Sequence, residues 1–255
     1  MRVIPVIDLK GGQVVRGIAG QRSRYRPIVS LLASDSRPHS IATAFVRRLG
    51  ASEVYVADLD AIAGQEPDWA AYEQIAAAGL RLWVDAGIGE PGRARELAHW
   101  AANGAATARV VVGLESVSEP AQLPAIQAAL PPQAGVFSLD LQHGAPWTRS
   151  AAWQSVTPHQ IAAAAVAAGF QRLLVLDLAS VGVGQGPAST GLCRELRDAY
   201  PQIELLMGGG VRGAEDLRSV AASGCDAVLV ASALHDGRLT AADLAAVGGL
   251  SRGES

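Results

Sequence analysis

The sequence predicts an α/β protein, a single (βα)8 TIM barrel with a two-fold internal repeat of half-barrels, and three observations predict it. Short apolar runs alternate with helical segments along all 255 residues. The runs are apolar almost continuously, as strands covered on both faces of a parallel sheet must be. Motifs of the first half recur in the second at offsets of about 120–130 residues, half the chain. An open doubly wound sheet uses the same elements but does not predict half-chain symmetry. With no break in composition, the expected domain is residues 1–255, its halves at about 1–131 and 132–255.

The strand runs fall at residues 3–7, 54–57, 81–84, 109–112, 135–139, 172–176, 204–207 and 227–230. Helical segments lie between them at 38–49, 68–78, 91–103, 157–168 and 213–223. Pro38, Pro91 and Pro158 stand near helix starts; Gly79, Gly104, Gly169 and Gly224 stand just past helix ends. Proline suits a first turn, where its missing N–H has no partner to lose, and glycine takes the left-handed residue that closes a helix. The repeat is visible at three places. Val84-Asp85-Ala86-Gly87-Ile88-Gly89 recurs as Met207-Gly208-Gly209-Gly210-Val211-Arg212. Asp58-Leu59, followed by Gly64-Gln65-Glu66-Pro67, recurs as Asp177-Leu178, followed by Gly184-Gln185-Gly186-Pro187. Asp8-Leu9-Lys10-Gly11-Gly12 recurs as Asp140-Leu141-Gln142-His143-Gly144.

Composition narrows the function. A net charge of −3 gives no electrostatic ground for binding nucleic acid. No apolar run approaches the ~20 residues that span a membrane. The first residues run directly into a strand without a secretory pattern, which predicts a cytoplasmic protein. Cys193 and Cys225 are isolated, lack metal-ligand spacing, and are expected to pack inside. Of the 21 basic residues only Lys10 is a lysine.

Active sites of such barrels sit at the carboxyl ends of the strands. Asp8, Asp58, Asp85, Asp140 and Asp177 all occupy that position. Asp8 and Asp140 end the first and fifth strands, on opposite walls, where one carboxyl gives a proton and the other takes one. Asp177 and Lys10 are further catalytic candidates, Lys10 as a Schiff-base nucleophile or a binding group. Gly208-Gly209-Gly210 after the seventh strand and Ala231-Ser232 after the eighth are candidate phosphate ligands, because small residues let backbone N–H groups approach an anion. The loop after the first strand is basic, with Arg16, Arg22, Arg24 and Arg26 around Tyr25, and reads as a lid over the substrate. Arg22, Arg24, Asp58, Asp85 and His143 are the candidate substrate-binding residues. Trp147 and Trp153 are candidates for stacking on a substrate ring, whereas Trp83 reads as core. His39, His99, His159 and His235 read as surface residues.

These motifs resemble the histidine-biosynthesis barrel family, which includes ProFAR isomerase and the cyclase subunit of imidazole glycerol phosphate synthase. The resemblance covers nearly the whole chain. Ile4-Pro5-Val6-Ile7-Asp8-Leu9 resembles the isomerase opening, and Asp8-Leu9-Lys10-Gly11-Gly12 is similar to the cyclase's first-strand stretch. Val56-Ala57-Asp58-Leu59-Asp60-Ala61 and Phe137-Ser138-Leu139-Asp140 resemble the second and fifth strands, and residues 207–212 and 228–239 the seventh and eighth. The resemblance implies that Asp8 is a general base and Asp140 a general acid. The reaction it implies is an Amadori rearrangement that needs no metal or organic cofactor. A lysine at the place of Lys10 in the cyclase implies a binding or gating role.

The departures matter as much. The family binds two phosphates, one per half. Its amino half should carry Gly-Gly-Gly after strand three and Gly-Ser/Thr after strand four; this chain has Asp85-Ala86-Gly87 and Gly113-Leu114-Glu115. A like-charge pair at ~5 Å costs on the order of 3 kcal/mol at an effective dielectric of ~20, about a hundredfold in affinity. Two carboxylates therefore argue against a phosphate there unless arginines neutralise them. The threonine expected after strand six is absent from Ser180-Val181-Gly182-Val183. The sequence thus predicts a diverged aldose–ketose isomerase of a monophosphorylated sugar or amino-sugar. Its alternatives are a genuine ProFAR isomerase, a relative from the branch that accompanies methanopterin-type one-carbon metabolism, and a non-catalytic subunit that binds a phosphometabolite. The expected partners are a small phosphorylated metabolite and either a second copy or a partner subunit.

Overall fold

The computed structural model describes residues 1–103, 109–184 and 186–248. Gly104, expected to stop a helix, and Gln185 of the repeated Gly-Gln-x-Pro loop lie outside the described residues. Eight strands form the barrel: β1 (Arg2–Lys10), β2 (Glu53–Asp58), β3 (Arg81–Asp85), β4 (Arg109–Gly113), β5 (Gly135–Gln142), β6 (Arg172–Asp177), β7 (Glu204–Gly208) and β8 (Ala227–Val230). Neighbours pair in parallel, and β8 returns to β1 through Arg2↔Ala227 to Pro5↔Val230. Closure leaves no free parallel edge. Every expected strand run lies inside an observed strand. β1 and β5 run on past their expected ends for one shared reason. Each pairs antiparallel with a short following strand, β1 with Gln13–Val15 and β5 with Ala145–Pro146.

The helices start and stop where local chemistry directs. Asp68 caps Trp69–Ala76 by accepting from the Ala71 N–H, and Thr157 with Gln160 forms a reciprocal cap on Pro158–Ala167. The helix expected at 38–49 is α-helical only over Pro38–Ala44; a π turn, Phe45–Leu49, then leads to left-handed Gly50. Thr190–Ala199 and the shorter Leu123–Ala128 and Ala241–Ala246 are helices beyond those expected, the last two with readable starts in Pro124 and the Thr240–Asp243 capping box.

Strand residues alternate between two cores, following the period of two. Ile4, Tyr55, Trp83, Val111, Val136, Leu174, Leu206 and Leu229, one from each strand, fill the barrel. Their neighbours, among them Val54, Val56, Leu82, Val84, Val110 and Val112, pack outward against the helices. Trp83 is core, as expected, and Cys193 and Cys225 are buried. The amino end of the barrel is closed by charge: Arg81–Glu53 at 2.7 Å, Arg172–Glu204 at 2.6 Å, and Arg2 reaching both glutamates. Among the described residues no helix is long and apolar enough to cross a membrane.

Candidate active site

A cavity of about 260 Å³ opens at the carboxyl ends of the strands. Asp8, Asp85 and Asp140 line it, from β1, β3 and β5, together with Gly209, Gly210, Ala231 and Ser232 from the loops after β7 and β8. The two acids proposed for proton transfer and the small residues proposed for an anion thus share one chamber.

The acids differ in their surroundings. Asp140 is buried; its Oδ1 accepts from the Ser138 hydroxyl at 2.6 Å and its Oδ2 from the Glu115 N–H at 3.2 Å. Burial, then the charges of Glu115 and Asp85, raise its pKa well above the usual carboxylate range, which favours its protonated form. Asp8 is pushed up to about 7 by burial, against the lowering effect of Arg22 and a hydrogen bond from the Gly17 backbone. Gly17 has no spare room: a Cβ there would lie 2.9 Å from Asp8 Oδ2 and 3.0 Å from Val181 Cγ1. Asp85 also rises to about 7, through burial and then Glu115. The Tyr55 hydroxyl donates to its Oδ2 at 3.2 Å and the Gly87 N–H to its Oδ1 at 3.2 Å. Burial and Asp85 in turn push the Tyr55 phenol far up.

The carboxyl half offers a basic, amide-rich wall. Gly209 and Gly210 have φ of +97° and +83°, and a Cβ on Gly210 would fall 2.0 Å from the Gly186 carbonyl, so only glycine fits. Arg238 lines the same chamber and donates to Ser232 Oγ at 3.4 Å and Asp236 at 3.0 Å. The wall around Glu115 mixes both signs. Arg22 binds Glu115 Oε1 at 2.5 Å, and Arg149 lies 4.0 Å from the other oxygen. Trp147 stands at the rim, 42% exposed.

The family described as histidine biosynthesis protein matches residues 2–240. The chain belongs to that family. It is 34% identical to the ProFAR isomerase (phosphoribosyl imidazole-4-carboxamide isomerase) of Rubrobacter xylanophilus, over 97% of this chain and 96% of the relative. It is 32% identical to the isomerase of the same name from Xanthomonas campestris pv. campestris, over 94% and 97%. An uncharacterized protein of Methanocaldococcus jannaschii is 30% identical over 94% and 95%.

Several residues singled out from the sequence of this histidine-biosynthesis barrel lie outside the chamber. Asp177, expected to be catalytic, accepts from the backbone N–H groups of His143, Gly144 and Ala179, at 3.2, 2.9 and 3.0 Å, and holds two loops. Asp58, expected to bind substrate, accepts from Ala61 N, Asp68 N and the Tyr72 hydroxyl, at 3.0, 2.9 and 2.6 Å. Lys10 ends the β1 hairpin and donates to the Arg22 carbonyl at 2.8 Å, so it anchors the loop and does not enter the chamber. Arg24 is exposed and bonds Gln21, and His143 is a left-handed turn residue (φ +53°) outside the lining. Gly208 belongs to β7 and packs under Leu176 and Leu229. Trp153 is fully buried, with Nε1 donating to the Val117 carbonyl, and cannot stack on a ligand. His235 is also buried, 1% exposed, where a surface residue was expected. Tyr25, from the loop expected to be a lid, lines the chamber, whereas Tyr55, Arg149 and Arg238 were missed as lining residues. Only Tyr55 left a sequence signal: a polar-tipped ring at an inward position of β2.

Proposed function

We propose that this member of the family is an aldose–ketose isomerase acting on a small phosphorylated sugar or amino-sugar, with Asp140 as general acid and Asp8 as general base. One observation carries the reading: two carboxyls from opposite walls line one chamber, where burial raises Asp140 well above the usual carboxylate range and Asp8 to about 7. Asp140 delivers its proton to the ring oxygen as the ring C–O bond breaks. Asp8 then removes the proton from carbon 2, and the resulting enolamine becomes the aminoketose. The backbone of Gly209, Gly210, Ala231 and Ser232, with Arg238 beside it, receives the phosphate. The two halves, about 1–131 and 132–255, each supply one member of the acid–base pair.

Asp85 and Glu115 at the other end favour a substrate without a second phosphate. A specific observation supports the second reading, a genuine ProFAR isomerase. Arg22 and Arg149 flank Glu115, so two cations stand ready for a second phosphate if Glu115 yields them. Titration and turnover with ProFAR and with ribose-type monophosphates separate the two. Monophosphates are expected to be converted in preference; tight ProFAR binding with turnover, and rescue of a strain lacking the isomerase, would establish the second reading.

A further inference from the structure

Adjoining the main cavity at Asp8, Val181 and Ser232 lies a second chamber of about 10 Å³, lined also by Arg16, Gly17 and His235 among others. Its size suits a single water molecule. The His235 ring closes this chamber, 1% exposed and packed 5.4 Å from the Phe45 ring. Its Nδ1 pairs with Ser30 Oγ at 2.8 Å, while its Nε2 is buried without a protein hydrogen-bond partner. The Ser30 oxygen also accepts from the Leu32 N–H at 3.0 Å. Burial holds the ring neutral, with a pKa lowered to about 4. A buried ring nitrogen with no hydrogen-bond partner is costly, and a partner of water size fits the space beside it.

We propose that one water bound in this chamber hydrogen-bonds His235 Nε2 and donates to the Asp8 carboxylate, which makes His235 a positioning residue for Asp8. The charged neighbours are already engaged or face elsewhere. Arg16 and Asp236, the groups nearest His235, pair with each other at 2.7 Å. Arg22, Tyr25 and Tyr55 approach Asp8 as well. The water stabilises ionised Asp8 and holds one of its oxygens toward the back wall, leaving the other free for the main cavity. The catalytic consequence rests on the proposed role of Asp8; the hydration site does not.

Two measurements test it. A crystal structure of the full chain at about 1.5 Å should show a water roughly 2.6–3.2 Å from both His235 Nε2 and an Asp8 oxygen. A dry chamber, or a water that touches only one of the two, overturns the proposal. Carbon-13 NMR titration of the aspartate carboxyls reads Asp8 directly, assigned with Asp8→Asn. His235→Phe should move the Asp8 midpoint up by about one pH unit, while His235→Gln, which returns a hydrogen-bonding amide near the same place, should hold it within about 0.3. An unmoved midpoint in folded His235→Phe overturns the proposal; should that variant fail to fold, His235→Gln and the wild-type crystal carry the test. Absence of turnover alongside a midpoint that still responds would sink the isomerase reading and uphold the water.

Discussion

Asp58 at the end of β2 and Asp177 at the end of β6 hold nearly the same backbone, with φ and ψ of −85° and 93° in one and −90° and 104° in the other. Each caps the short helix that follows and ties down a neighbouring segment. One strand further on, the halves part. β3 ends in Asp85, whereas β7 ends in Gly208 and continues into two left-handed glycines. The loop after β4 presents Glu115 and the loop after β8 presents Ser232. The repeat persists in the paired acids of β1 and β5 and where a side chain serves the backbone, and has changed at the cavity ends of β3 and β7 and in the loops after β4 and β8. Backbone geometry is common to both halves; ligand chemistry belongs to one end of a particular substrate.

The largest expected effect tests whether the shared chamber is catalytic. Asp140→Asn and Asp8→Asn should each lower kcat by about 10²–10⁴-fold with ligand affinity little changed, measured by turnover and calorimetry on the same preparation. A non-catalytic binder would keep both its ligand and its cellular role. Next come the scaffold acids. Asp58→Ala and Asp177→Ala each leave three donors without their acceptor, two of them buried at Asp58 and one at Asp177, so each should cost roughly 3 kcal/mol, about 6–12 °C in Tm. Equal losses from the two halves would confirm a common job; a selective loss of kcat at unchanged Tm for Asp177→Ala would return it to the catalytic group.

Much of this comparison was legible in the sequence, because barrel strands are buried on both faces and announce themselves as apolar runs. The rim acids were legible as a set but not by role. Asp58, Asp85, Asp140 and Asp177 have the same place on their strands, and only the loops decide whether the carboxylate meets a backbone N–H or a cavity. Asp58 and Asp177 therefore fall on backbone N–H groups rather than in the cavity, and the Leu that follows each gives no warning, because Leu9 and Leu141 follow the cavity acids too. His235 and Trp153 were misplaced for another reason. Their burial depends on segments distant in sequence, Phe45 and Ser30 for one and Val117 for the other. Arg238 and Arg149 sit on loops, where no periodicity marks which arginine turns inward.

A pH experiment sharpens the contrast at Asp85 against its glycine counterpart. Burial raises the Asp85 pKa from 3.8 to about 7, so between those values the folded protein binds protons that the unfolded chain releases. Stability therefore falls as pH rises through that window, because an increasingly unfavourable buried charge must form. Asp85→Asn removes the charge and should stabilise the protein by about 2 kcal/mol at pH 8 and by almost nothing at pH 4, after allowing for weaker bonds from Tyr55 and Gly87. Thermal unfolding at both pH values reads the difference. A gain of equal size at pH 4 would mean that packing, not ionisation, separates the halves here.

The smallest expected effect concerns the loop that leans from β1 across the amino half. Arg22 reaches Glu115 and lines the chamber, while Arg24, two residues on, points to Gln21 in solvent. Arg22→Ala should raise the apparent substrate constant about tenfold, about 1.4 kcal/mol, and Arg24→Ala should change it less than about twofold. Arg22→Ala also leaves Glu115 without its close partner, so the next cation in reach, Arg149 at 4.0 Å, becomes its main counter-charge. The double variant Arg22→Ala with Glu115→Gln decides what the ion pair is for. Recovery of the substrate constant would mean that Arg22 serves only to mask Glu115. Persistence of the tenfold loss would mean that the guanidinium itself touches substrate, and the amino half would then be an anion site held in check by its own carboxylates.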